Sequence, residues 1–344
     1  MVKNFKIALF CLVGINALAQ DAHLSIYDAA PMYLNPAMTG VFEGDWRLHA
    51  QYRTQWKSVN FKPYQTGLVS FDMAKKKWGF GAQVSNFRAG QGNYNAASAL
   101  ISVAYTSPID RKKNHNISFG IQGGVTQKSL EYQLLTYDNQ YSTANGGTFD
   151  MGIPSGESFQ GQSFVVPNVN AGLLYFFARQ QARLNPFVGI SAFNLTTPQE
   201  TFNDVNNHLP MRFYGHFGTR INITELFYIT PKFLVMNQKD YWEQTYAADA
   251  GYYLKEADMY ITAGVLFRTV GFPKSVQGET AKISSDAMLI TAGAKMENIT
   301  LRVGYDINVS SLSTASNGRG GFEISLTYIR QKRKPTDEKI CPRL

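Results

Sequence analysis

From Trp46 to Lys57 apolar and polar residues alternate without a break. Trp46, Leu48, Ala50, Tyr52, Thr54 and Trp56 fall on one face of an extended chain, and Arg47, His49, Gln51, Arg53, Gln55 and Lys57 on the other. Successive side chains of a strand point to opposite sides, so this segment must satisfy two different surroundings at once. A soluble sandwich would turn the apolar face to a core. Here that face begins and ends in tryptophan, which settles where hydrocarbon meets headgroups, and many later segments repeat the pattern. The expected fold is all-β, a transmembrane antiparallel barrel with a lipid-facing apolar wall and a polar lumen.

The N-terminus supports export. Lys3 and Lys6 precede an apolar run from Ile7 to Ile15, and Ala17-Leu18-Ala19 forms a small-residue cleavage site, so residues 1–19 read as a signal peptide and Gln20 as the mature start. Cys11 lies inside the apolar run, which leaves Cys341 alone in the mature chain and excludes an intrachain disulfide framework. Beyond the leader no stretch approaches the roughly 18 apolar residues of a helical span, so a membrane-embedded chain of this kind must close as a barrel to satisfy its backbone. Charged residues are only 17% and aromatic residues 13% of the 344, a bias that favours a lipid-facing surface. The formal charge of +8 becomes +6 without the two leader lysines. The basic residues are dispersed and form no tract, which argues against nucleic acid as a partner.

Segments with period-two alternation and turn punctuation amount to about 14 strands. Ile117 to Val125, Ile299 to Val309 and Phe322 to Tyr328 are clear; Tyr228 to Met236 and Gln244 to Leu254 are weak. In this register every second connection is tight: Ala74 to Lys77, Ser107 to Asn114, Ala178 to Asn185, Asn222 to Glu225, Lys255 to Asp258 and Met296 to Asn298. The others include all the long loops, at Leu130 to Phe164, Thr196 to Asn207, Gly271 to Ser284 and Ser310 to Gly320. Short periplasmic turns alternating with long extracellular loops is the construction of outer-membrane barrels, and a sandwich has no reason to sort loop lengths this way. The chain therefore divides into the leader 1–19, an N-terminal arm or plug over 20–45, a barrel over 46–331 and a C-terminal tail over 332–344. Both termini of the mature protein are expected to be periplasmic.

The same parity sorts charge. The tight turns carry Lys75, Lys76, Lys77, Arg111, Lys112 and Lys113, and the tail adds Lys332-Arg333-Lys334, whereas Leu130 to Phe164 holds Glu131, Asp138, Asp150 and Glu157 and no Lys or Arg. A basic periplasmic rim suits an acidic partner; the plain alternative is that exposed turns are simply charged and solvated. The chemistry of enzymes is missing. There is no H-E-x-x-H, no paired-cysteine metal spacing, no G-x-x-x-x-G-K and no G-x-S-x-G, so neither catalysis nor a metal or other cofactor is expected. His49 and His216 share the luminal phase with Arg47, Arg53, Arg212, Arg220 and Arg302. Those arginines are candidate partner contacts, or else pair with Asp306 and Glu323 to knit the interior. Tyr132, Tyr137, Tyr141 and Phe149 give the long loop the aromatic anchors that dominate interface energetics.

Several motifs occur in a fixed order along the mature chain: Gln20-Asp21-Ala22-His23, then Tyr33-Leu34-Asn35-Pro36-Ala37-Met38-Thr39-Gly40, then Arg53-Thr54-Gln55-Trp56. Leu209-Pro210-Met211-Arg212-Phe213-Tyr214-Gly215-His216, Gly304-Tyr305-Asp306-Ile307-Asn308, Gly321-Phe322-Glu323-Ile324-Ser325-Leu326 and the terminal Cys341-Pro342-Arg343-Leu344 follow. This series resembles the PorP/SprF family of type IX secretion system outer-membrane proteins of Bacteroidetes-type cells. The resemblance implies an outer-membrane barrel that binds, anchors or helps export a cell-surface adhesin-like client through its type IX C-terminal sorting domain, in some members for gliding motility. It also implies contact with periplasmic or outer-membrane type IX machinery, with membrane lipid and with lipopolysaccharide. Asn35, Pro36 and Ala37 lie where barrels of the fatty-acid transporter (FadL-like) type carry a plug. A transporter of hydrophobic small molecules is accordingly the alternative function, and a core structural part of the secretion machine a second one.

Overall fold

The computed structural model describes residues 23–57, 62–143, 147–159, 161–179, 182–202, 206–271, 283–310, 313–316 and 318–331. The leader with Cys11, the mature start at Gln20, and the tail with Lys332-Arg333-Lys334 and Cys341 lie outside the described residues. Among the described residues no helix is long and apolar enough to cross a membrane.

Fourteen antiparallel strands close into a barrel. They are β1 (Trp46–Gln55), β2 (Tyr64–Lys75), β3 (Trp78–Ala89), β4 (Tyr94–Pro108) and β5 (His115–Ser129), followed after a long loop by β8 (Ser163–Phe177) and β9 (Leu184–Phe193). Then come β10 (Arg212–Asn222), β11 (Phe227–Gln238), β12 (Tyr241–Leu254), β13 (Met259–Gly271), β14 (Ile283–Met296), β15 (Ile299–Asn308) and β16 (Arg319–Arg330). Within the loop, β6 (Tyr141–Ser142) and β7 (Thr148–Phe149) pair as a small separate hairpin. Each barrel strand pairs with its neighbour in the chain, and the seam closes where β16 lies beside β1, from Trp46↔Arg330 to Gln55↔Gly321.

The expected phase holds along the wall. Leu48, Phe71, Phe80, Phe119 and Phe322 are exposed on the outer face, with Ile101 at 70%, while His49, Ser70, Ser118, Gln122 and Thr291 are buried on the inner one. The first strand is two residues shorter than its alternation suggests: it stops at Gln55, and Trp56 takes a left-handed φ of 57° and packs its ring 4.9 Å from that of Tyr64. Both segments with weak alternation are strands. In β11 the signal is blurred by Pro231, which has no N–H for the ladder; pairing with β10 runs to Gly218↔Lys232 and resumes at Ile221↔Ile229.

At the rim where β1 begins, the connections are residues 76–77, 109–114, 178–183, 223–226, 255–258 and 297–298, all short. At the opposite, far rim they include 130–162, 194–211, 272–282 and 309–318, and also two short ones, 90–93 and 239–240. The apolar core is not between layers but inside the barrel. Ile26, Leu34, Ala37 and Met38 of the N-terminal arm pack there with Leu174, Phe176, Leu234 and Leu289 of the inner wall.

Candidate functional site

The arm enters the barrel as a chain of short turns, Tyr27–Ala29, Pro31–Leu34 and Pro36–Met38. Such turns leave many main-chain groups without internal partners, and buried ones must find them in the wall. The first partner is a carboxylate on the closing strand. Glu323 accepts from the backbone N–H of Ser25 (2.9 Å) and of Ile26 (3.0 Å). Arg53 binds Asp306 at 2.6 Å, approaches Glu323 at 3.6 Å and donates to the His23 carbonyl at 2.5 Å. Arg268 pairs with Asp286 at 2.5 Å and donates to Ser25 Oγ, which in turn donates to Asp306. His23 sits within this field, and burial, reinforced by Arg268, Arg53 and Arg212, holds its imidazole well below the ordinary value.

A second clamp holds Asp28. Lys232 and Arg302 (2.8 Å) both reach its carboxylate and share Asp249 between them. Burial alone would push the Asp28 carboxyl up, but Arg302 and Lys232 together outweigh it and hold it below the usual carboxylate range. A third clamp is Asp72, which takes Arg47 through two bonds of 2.9 and 2.8 Å and also the N–H of Gly40, whose φ is +71°.

Asn35, Pro36 and Ala37 rest on a bare patch of wall. Asn35 Oδ1 accepts from Ala37 N at 2.9 Å, and Nδ2 donates to the carbonyls of Leu173 and Ile190 and meets His216 Nε2 at 3.2 Å. Ser118 Oγ donates to the Ala37 carbonyl at 2.7 Å and Ser191 Oγ to that of Leu34 at 2.8 Å. This approach needs glycine on β5 and β8. A Cβ at Gly120 would lie 2.3 Å from the Pro36 carbonyl carbon, and one at Gly172 would lie 1.9 Å from Asn35 Oδ1.

Of the five arginines that the sequence assigns to the lumen, Arg47, Arg53 and Arg302 are taken up by internal carboxylates. Arg220 lies 3.5 Å over the Tyr228 ring and donates to Asn222. Arg212, flanked by the rings of Phe193 and Tyr214, lines a cavity of about 110 Å³ toward the far rim. Tyr33 of the arm, Gln83 and Asn168 also line it, as do Pro198 and Leu209 of the 194–211 loop, and Lys128 pairs with Glu200 of the same loop. The buried oxygens Gln83 Oε1 and Asn168 Oδ1 have no hydrogen-bond partner among the described residues.

The described residues of the loop 130–162 pack through their own aromatic rings. Tyr132 and Phe159 stack at 4.1 Å and 6°, the Tyr137 hydroxyl donates to the Tyr132 carbonyl, and Tyr141 meets Phe149 edge-on at 5.5 Å across the β6–β7 hairpin. Tyr141 and Phe149 stay 50% and 47% exposed. At the other rim Lys75, Lys76, Lys77, Arg111, Lys112 and Lys113 are all exposed. The interior partners Asp28, Asp72, Lys232, Asp249 and Arg268 are not among the residues that the sequence singles out. All but Asp28 lie on the inward phase of their strands, and an ionisable residue in that phase is the signal that finds them. No group of three or more His, Cys, Asp or Glu side chains able to hold a metal ion occurs among the described residues.

Compared with curated proteins, the chain finds no significant match. Among solved structures it is similar to the CymD monoaromatic hydrocarbon channel, at 12% identity and a TM-score of 0.49 over 89% of this chain and 94% of that one. It is also similar to the toluene transporters TbuX of Ralstonia pickettii (10%, TM-score 0.47, 88% and 94%) and TodX of Pseudomonas putida (10%, TM-score 0.44, 87% and 92%). The family model described as type IX secretion system membrane protein PorP/SprF matches residues 16–328. A match over that length, on a closed barrel of fourteen antiparallel strands, makes this chain a member of the PorP/SprF family of type IX secretion membrane proteins, an outer-membrane β-barrel.

Proposed function

We propose that the protein holds one secreted surface protein, bearing a type IX C-terminal sorting domain, at the outer membrane. In this reading the rim with short turns and both mature termini is periplasmic, the far rim is extracellular, and residues 20–45 are a plug that makes the barrel a holder instead of a pore. The observation that carries it is the pair Tyr141 and Phe149 of the loop 130–162, which pack on each other and stay half exposed to a partner. Exposed aromatic side chains held in place by their neighbours bind with little loss of freedom. The occupied interior supports the same reading: Arg47, Arg53 and Arg302 hold the plug, and Arg212, beside the outer cavity, is the luminal arginine nearest a docked client. A cavity of about 110 Å³ is small beside the roughly 300–1,000 Å³ of a ligand pocket, which makes it a poor conduit for hydrophobic molecules.

Deleting the gene tests this. The expected result is loss of one client from the cell surface while other type IX cargo is still secreted. Loss of all cargo would instead mean a core part of the machine, and impaired uptake of hydrophobic nutrients with normal secretion would mean a transporter.

A further inference from the structure

The rim with short turns is electrically two-sided. Three consecutive connections, 76–77, 109–114 and 178–183 with their strand ends, bring Lys75, Lys77, Arg111, Lys112, Lys113 and Arg179 side by side, because β2, β3, β4, β5, β8 and β9 follow one another around the wall. The next three connections carry Glu225, Glu256, Asp258 and Glu297 against the single cation Lys255. The six cations are exposed and form no ion pair among the described residues. The one acid among them, Asp110, accepts the N–H of His115.

Several of these cations belong to the outer wall and not to the mouth. Lys75 pairs with Trp78 across β2 and β3 and continues the exposed row of Phe71 and Met73. Lys77 reaches over the Tyr105 ring at 5.8 Å, and Tyr105 packs against Trp78 at 4.9 Å. Further round, His115 bonds the Tyr175 hydroxyl at 2.8 Å and packs on Phe177, and Arg179 continues that outward row while Phe176 and Ala178 are buried. Aromatic residues in such a row mark headgroup depth, and long cationic side chains beside them extend toward phosphate.

We infer that this arc is a binding site for acidic phospholipids, in which lysine and arginine take the diester phosphates of one membrane leaflet and the aromatic rings flank the glycerol and upper acyl chain. An acidic soluble protein would meet the tips of the turns, whereas Lys75, Lys77 and Arg179 lie along the wall where only lipid is adjacent. Zwitterionic headgroups fit less well, since their amines find Asp110 as the sole acid in the arc. The site is independent of the client reading.

The test uses the full mature protein in nanodiscs of phosphatidylcholine doped with phosphatidylglycerol, with the lipids retained after mild extraction identified by native mass spectrometry. Each cation near an anionic headgroup is worth about fivefold in local enrichment, so phosphatidylglycerol should exceed its bulk fraction at least that much and fall with added salt. Replacing the six cations by Gln should abolish the enrichment, and Lys75→Arg, Lys77→Arg, Lys112→Arg and Lys113→Arg together should retain it. A control that neutralises cations outside the arc, Lys57→Gln, Lys239→Gln and Lys255→Gln, should leave it unchanged. Retained lipid at the bulk ratio, equal loss in the control, or capture of an acidic protein without lipid enrichment would overturn the proposal.

Discussion

Gly120→Ala should lift the arm off the wall without opening the barrel. The new Cβ would lie 2.3 Å from both the carbonyl carbon and oxygen of Pro36 and 2.4 Å from Ala37 N. All three are backbone atoms, so no side-chain rotation relieves the clash and the Asn35-Pro36-Ala37 turn must move. Moving it breaks the bonds of Asn35 Nδ2 to Leu173 and Ile190 and that of Ser118 Oγ to Ala37. At about 1 kcal/mol net for each, the loss is about 3 kcal/mol, which raises the undocked fraction of the arm by about a hundredfold. The ladder of β5 uses main-chain groups only and survives, so heat-modifiable migration on gels should be unchanged. Hydrogen exchange of residues 31–40 in nanodiscs reads the effect directly. Gly67→Ala is the control, since a Cβ there meets nothing within 4 Å. Exchange in Gly120→Ala equal to that in Gly67→Ala would refute the seating of the arm on this wall.

Other expectations follow from the same geometry. Ile121→Arg, at a site 66% exposed on the outer face, should cost about 2–4 kcal/mol in a lipid-refolding titration, whereas luminal Thr300→Arg should be tolerated; equal costs would invert the assigned faces. Asp28→Asn leaves Lys232 and Arg302 with Asp249 alone and should weaken arm docking by about 3–5 kcal/mol in the same exchange experiment. The folded Asp28 carboxyl is depressed, so its contribution is complete above the ordinary carboxylate value and is lost only as pH falls through its lower folded value; mild acid should not unlatch it. His23 adds a second acid-sensitive contact. Its folded value lies well below 6.5, so its neutral form favours docking fully above that pH and progressively less as pH falls beneath it, an acid sensitivity that His23→Gln should remove. Tyr141→Ala with Phe149→Ala should release the client while the barrel still assembles, measured by surface labelling of intact cells.

The wall was legible in the sequence because its two faces meet different solvents, and each strand repeats that difference every second residue. Even β11 could be found, although Pro231 interrupts its ladder. The interior was not legible to the same degree. Arg53 with Asp306 and Glu323 could be anticipated as partners because all three share the inward phase of β1, β15 and β16. The clamp of Asp28 by Lys232 and Arg302 could not, because it joins residues from three distant segments and depends on where an irregular arm comes to rest. Gly120 and Gly172 show the same limit. In the chain they are ordinary strand glycines, and only the arm packed against them gives them meaning.

The anchors of Ser25 and Ile26 have a consequence for assembly. Their N–H groups are received by Glu323 on β16, and the guanidinium that joins Glu323 to the arm comes from Arg53 on β1. The arm is thus fastened to the first and last strands, across the one place where strands far apart in sequence must find each other. These bonds do not exist until β16 has arrived beside β1. Although the arm precedes every strand in the chain, its first residues settle only after the last strand is in position, and a docked arm is a record that the circle has closed.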